Sequence, residues 1–149
     1  NELSGASLST LIHPDDYDWS LEHIPGVSLV LNGETDKGML FSAVLGFKKL
    51  TDEKGVLLFP VDHPFVEVST LNLILDIFYK CPDKLIKPEF EGKSGHPVLI
   101  PRFAADGMVF LKRDISLSEA LREVCNETEI VRVSDRGILK NINTAEDLK

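Results

Sequence analysis

The chain has 149 residues, 43% of them hydrophobic, with 16 basic and 24 acidic side chains and a formal net charge of −8. That length suffices for one domain with a real core, so residues 1–149 are expected to form a single domain. The acidic balance argues against a nucleic-acid partner, which needs a basic stripe, and no apolar run approaches the roughly 18 residues of a membrane span.

No signal segment opens the sequence. Cys81 and Cys125 lack metal spacing and read as buried thiols, so the expected location is cytoplasmic, with no membrane.

Residues 1–26 carry no clear period. Residues 15–19 read as a short helix or a surface loop, and Pro25-Gly26 is a turn signal. Residues 27–31, VSLVL, are a short strand. From Met39, Leu40, Ala43, Val44, Phe47 and Leu50 fall at helical spacing. Ser42 is then expected in the first turn, where a hydroxyl could meet a phosphate or simply bond local backbone.

The central stretch is residues 56–66, VLLFPVDHPFV. An apolar run stops at one carboxylate, Asp62, between Pro60 and Pro64. Such a run reads as a strand buried on both faces. An acid at its carboxyl end, on a loop stiffened by two prolines, suits a metal ligand; the alternative is an Asp that bonds its own backbone. A helix follows, with Ser69 or Thr70 as cap and Leu71, Ile74, Leu75 and Phe78 as buried stripe, ending before Pro82.

Residues 85–88 read as another short strand. Residues 91–101, EGKSGHPVLIP, then gather Gly92, Lys93, Ser94, Gly95 and His96 ahead of the strand 98–100. Glycine lets backbone approach a ligand and Lys93 could neutralise phosphate. A surface turn uses the same residues, and this is not a Walker A loop, because the Lys-Ser pair lies between the glycines. Ser116 and Glu119 form a capping box. Residues 129–133 and 138–142 read as strands, with a turn at 135–137. Thr144 and Asp147 start a last helix. Alternating strands and helices imply an α/β fold with a mostly parallel sheet and helices on both faces.

Three of these stretches together resemble the MobA-like NTP transferase family. Asp62-His63-Pro64 matches its strand-terminal Asp-x-Pro. Gly95-His96-Pro97 before Val98-Leu99-Ile100 matches its Gly-His-Pro and strand. Residues 141–147 approximate its Asp-Ile-Asp-Thr-Pro-Glu-Asp segment, and the GMLFSAVLGF run from Gly38 is similar to its serine-bearing helix start. The resemblance covers residues 27–148.

The resemblance implies a Rossmann-like three-layer α/β/α fold of the nucleotide-diphospho-sugar transferase type. It also implies transfer of CMP or GMP from CTP or GTP to a phosphorylated acceptor, foremost molybdopterin in molybdenum cofactor biosynthesis, with magnesium. Asp62 would be the catalytic metal ligand, with Asn141 beside it. Ser42, Lys93, Gly95 and His96 would bind substrate, and His63, at the variable position, would be a spacer. The sequence departs from the family twice. The Gly-rich phosphate loop expected at the amino end is absent, which suggests an N-terminally incomplete domain, and Asn141 and Asn143 stand where carboxylates are usual. The alternatives are a catalytically impaired relative acting as a nucleotide- or pterin-binding regulatory module, or a scaffold for protein contacts.

Overall fold

The computed structural model describes residues 8–12, 27–50, 52–111 and 115–148. The expectations for residues 15–19 and for Pro25-Gly26 lie outside these. The chain divides into two compact units, residues 1–53 with 103–124, and residues 54–102 with 125–149.

In the first unit, β1 (Leu8–Ile12) pairs in parallel with β2 (Val27–Leu31). A 3₁₀ turn, Thr35–Lys37, leads into α1 (Gly38–Phe47), which buries Leu40, Ala43 and Phe47. Helices α3 (Arg102–Phe110) and α4 (Leu117–Val124) follow later in the chain. The side chain of Val124 packs where Gly107 has no Cβ. The capping box of α4 forms as expected: Ser116 Oγ accepts from Glu119 N at 3.2 Å, and Glu119 Oε2 accepts from Ser116 N at 2.8 Å. The Ser116 hydroxyl, which donates to Glu119 Oε2 at 2.6 Å, and then the Ser116 N–H hold the Glu119 carboxyl below its usual range.

The second unit is a five-stranded sheet with one long helix. Its elements are β3 (Gly55–Leu58), α2 (Val68–Lys80), β4 (Leu85–Phe90), β5 (Lys93–Ser94), β6 (Val98–Pro101) and β7 (Thr128–Arg132). Strand β6 lies between β3 and β4, antiparallel to both, and β7 runs parallel to β4 on its other side. The sheet is therefore mixed, not mostly parallel. The cause is local. Glu91 and Gly92 both adopt positive φ, 48° and 79°, which is the geometry of a two-residue hairpin turn. It folds β5 and β6 straight back along β4 where a parallel strand would need a long crossover.

The hairpin is not regular. Five steps from Ser94 to Leu99 face three steps from Glu89 to Ile86. The excess is a bulge around the cis His96–Pro97 bond, a device that re-aims side chains at the end of a strand.

Three further expectations are corrected. Strand β3 is not buried on both faces; only Val56 is buried, because among the described residues β3 pairs with β6 alone. Helix α2 is capped at Glu67, with Thr70 inside its first turn. Residues 138–142 form no strand; Arg136–Leu139 is a 3₁₀ turn, because Asp135 Oδ1 accepts from Gly137 N at 2.7 Å and closes the chain on itself.

The core of this unit lies between α2 and one sheet face: Ile74 and Phe78 pack on Ile86, Leu99 and Val131. Each such side chain contributes about 1.5–3 kcal/mol by leaving water. Gly55 admits the Phe78 ring, whose edge lies where a Cβ would be.

Candidate functional site

Strands β3, β4 and β7 all point one way, so their carboxyl ends share one edge of the sheet. The reversed β6 brings its amino end to the same edge. That edge is where open α/β sheets hold ligands.

Beyond β3, the turn at residues 60–63 is closed by His63 N donating to Pro60 O at 3.2 Å. It presents Asp62 with its side chain 39% exposed and His63 with 12%. Asp62 Oδ1 accepts from His63 Nδ1 at 2.9 Å. A carboxylate offers only acceptors, so Nδ1 is the protonated nitrogen of that ring. The other oxygen of Asp62 accepts no hydrogen bond among the described residues. His63, expected as a spacer, thus orients the carboxylate. Its ring also meets that of His96 edge-on, 4.9 Å between centroids.

His96 is held by its backbone, whose N–H donates to Ile138 O at 3.0 Å. Its Nδ1 is buried with no partner. Burial pushes the His96 imidazole below its ordinary 6.5; nearby His63 and Lys87 push the same way and Asp62 opposes them. The ring is therefore neutral near pH 7. Gly95 lies beside it, where a Cβ would come within 2.2 Å of Ile138 O.

Residues 133–142 form the floor. Ile142 N donates to Asp62 O at 2.7 Å, so Asn141 and Asn143, both exposed, flank a point of attachment to the acid-bearing turn. Asp147 Oδ2 accepts from Thr144 N at 2.8 Å and from Asn143 N at 3.0 Å, which stiffens this segment from beyond. Those bonds, Thr144's first, hold the Asp147 carboxyl below its usual range. Lys140 places its ammonium 3.9 Å over the Phe65 ring. Lys140 and Lys87 are charges near the site that sequence reading left aside; only their place in the fold marks them.

Among the residues expected at the site, Asp62, Gly95 and His96 come together at this edge, Asn141 is attached through its neighbour, and Lys93 is exposed on β5. Ser42 belongs to the first unit. It stands in the second turn of α1, not the first. Its Oγ accepts from Asn32 Nδ2 at 2.8 Å and lies 3.4 Å from Gly38 O, the acceptor for its own proton.

Among the described residues, no three His, Cys, Asp or Glu side chains are grouped to hold a metal. A single open carboxylate still fits a hard cation that takes its remaining ligands from phosphate and water, the usual habit of magnesium.

The profile of the MobA-like NTP transferase domain matches residues 8–131. The chain belongs to that family. No curated protein matches it. Members of this family are nucleotidyltransferase-like, and solved structures share the fold. The Mycobacterium tuberculosis Rv0371c homologue from Mycobacterium sp. strain JC1 superposes with a TM-score of 0.72 at 18% identity, covering 95% of this chain and 71% of the other. Rv0371c of Mycobacterium tuberculosis, solved in complex with manganese, gives 0.62 at 16%, covering 95% and 75%. A 4-diphosphocytidyl-2C-methyl-D-erythritol synthase gives 0.66 at 12%, covering 96% and 79%. At such identities the likeness establishes the fold, a Rossmann-like arrangement of a mixed sheet and helices. No helix among the described residues is long and apolar enough to cross a membrane.

Proposed function

We propose that this chain is a nucleotidyltransferase domain that moves CMP or GMP from CTP or GTP to a phosphorylated acceptor, with molybdopterin as the leading candidate. The observation that carries the reading is the open oxygen of Asp62 at the carboxyl end of β3, in a chain of the MobA-like NTP transferase family. In such a transfer a phosphate oxygen of the acceptor forms a bond to the α-phosphorus while the bond to pyrophosphate breaks in line. The nucleophile is already ionised, so no general base is required, and positioning dominates.

Asp62 and Asn141 would hold magnesium, which supplies neutralisation of charge on the phosphate oxygens when bound. His63 fixes the Asp62 carboxylate. His96, kept neutral with its Nδ1 buried, lines the acceptor side as an uncharged ring. Lys93 offers an ammonium to anionic acceptor groups.

Calorimetric titration of CTP, then GTP, with and without magnesium tests the reading. Saturable, magnesium-dependent binding that Asp62→Ala weakens by about a hundredfold is expected; equal binding by that variant would overturn it. The amides at Asn141 and Asn143 favour a second reading, a nucleotide- or pterin-binding module without turnover. It is separated from the first by assaying pyrophosphate release once binding is established, and by an increase in magnesium affinity in the Asn141→Asp, Asn143→Asp double variant.

A further inference from the structure

We propose that Asp135 is a positioning residue for the Asp62–His63–His96 site. Its carboxylate fastens the loop that seats both Asp62 and His96 to the first turn of α2. The inference rests on reading this edge as a nucleotide site.

Asp135 is 5% exposed. Its Oδ2 accepts from Glu67 N and from Thr70 Oγ1, each at 2.8 Å, and its Oδ1 accepts from Gly137 N at 2.7 Å. Three donors therefore converge on two oxygens. An asparagine would turn an NH₂ toward at least one of them, so only a carboxylate satisfies all three. Burying that charge is costly, and a simple turn would not require it.

What the charge holds is the segment from 135 to 142. At Gly137 a Cβ would come within 2.1 Å of Phe65 O, so the segment lies directly on the backbone of the acid-bearing loop. One residue on, Ile138 O receives His96 N. Four further on, Ile142 N reaches Asp62 O. Lys140 covers Phe65 between them. Asp135 thus stands where one segment that touches both halves of the site is bonded to a rigid helix. The partner Thr70 lies 65 residues away in sequence and takes no part in the site itself.

The test uses the full chain labelled at its histidine rings. Ring resonances of His63 and His96 are recorded together with magnesium–CTP affinity by calorimetry and melting temperature. Thr70→Val removes one bond to Asp135, and Thr70→Ser keeps it. Ile74→Val trims the same helix without touching Asp135. We expect Thr70→Val to shift both ring resonances and weaken magnesium–CTP binding about fivefold, the effect of one hydrogen bond. Thr70→Ser should restore both, and Ile74→Val should lower the melting temperature and leave both unchanged. Asp135→Asn should exceed Thr70→Val; if it fails to fold, the Thr70 pair decides alone. Rings that stay in place in Thr70→Val, or rings that move while affinity holds, would overturn the proposal. If the rings move but even the unaltered protein binds no nucleotide, the positioning role stands and the nucleotide reading falls.

Discussion

Asn32 and Asp62 occupy matching places in their own units. Asn32 directly follows β2 and Asp62 lies in the turn beyond β3, and each is a small polar side chain with a carbonyl-type oxygen. Asn32 is buried, gives Nδ2 to Ser42 and takes Glu34 N on Oδ1 at 3.0 Å. Asp62 is partly open, with one oxygen held by His63 and the other uncommitted, and its neighbour His96 buries a nitrogen with no partner. Polar atoms whose valences are all met inside the fold stabilise it. An exposed unmet oxygen such as that of Asp62 is open to a ligand, whereas a buried unmet nitrogen such as His96 Nδ1 costs the fold stability. The two strand ends thus contrast a closed polar set with a partly open one.

Substitutions can break that contrast or sharpen it. The largest effect is expected at Gly95→Ala, where the added carbon meets the Ile138 carbonyl and neither backbone can yield; thermal or urea unfolding should show a loss of about 3 kcal/mol. Asp62→Ala should leave unfolding nearly unchanged but weaken magnesium–nucleotide binding by about a hundredfold in calorimetry, near 2.7 kcal/mol. Asn32→Ala should do the reverse, costing about 1 kcal/mol of stability, because Ser42 and Glu34 each lose a partner, with nucleotide affinity intact. If Asn32→Ala abolished binding instead, the contrast between the two strand ends would be false.

The smallest effect is a pH dependence. The folded state holds His96 below its ordinary 6.5, so it binds fewer protons than the unfolded chain once pH drops past that value. Stability is therefore full above about pH 6.5 and declines as pH falls toward the lowered folded value. His96→Gln should flatten that part of the stability profile, measured by urea unfolding at stepped pH.

The course of the chain through β3, α2, β4, β6 and α4 was legible because local signals carry it: apolar runs, breakers, a 3.6-residue stripe and a capping box. Asp62 and His96 stood out for the same reason, as polar residues pinned by prolines, and the structure brings them to one edge of the sheet. Strand direction was not. It depends on whether Glu91 and Gly92 take positive φ, and a two-residue turn is hard to distinguish from the longer Gly-Lys-Ser-Gly turn by composition. The fate of Ser42 was not legible either, since its partner Asn32 stands ten residues upstream. Asp135 was readable as a turn residue from the Asp-x-Gly pattern. Its bond to Thr70 spans 65 residues, and no local pattern announces it.

The second unit is written in two pieces, 54–102 and 125–149, and this has a consequence during synthesis. A ribosome delivers Asp62 first, then the hairpin with His96, then a stretch belonging to the other unit. Only afterwards does it release β7 and the segment that Asp135 fastens. Until then β4 lacks its parallel neighbour and α2 lacks the carboxylate at its amino end. Within the second unit the nascent chain therefore carries Asp62 and His96 before it carries the segment 135–142 that both of them bond to.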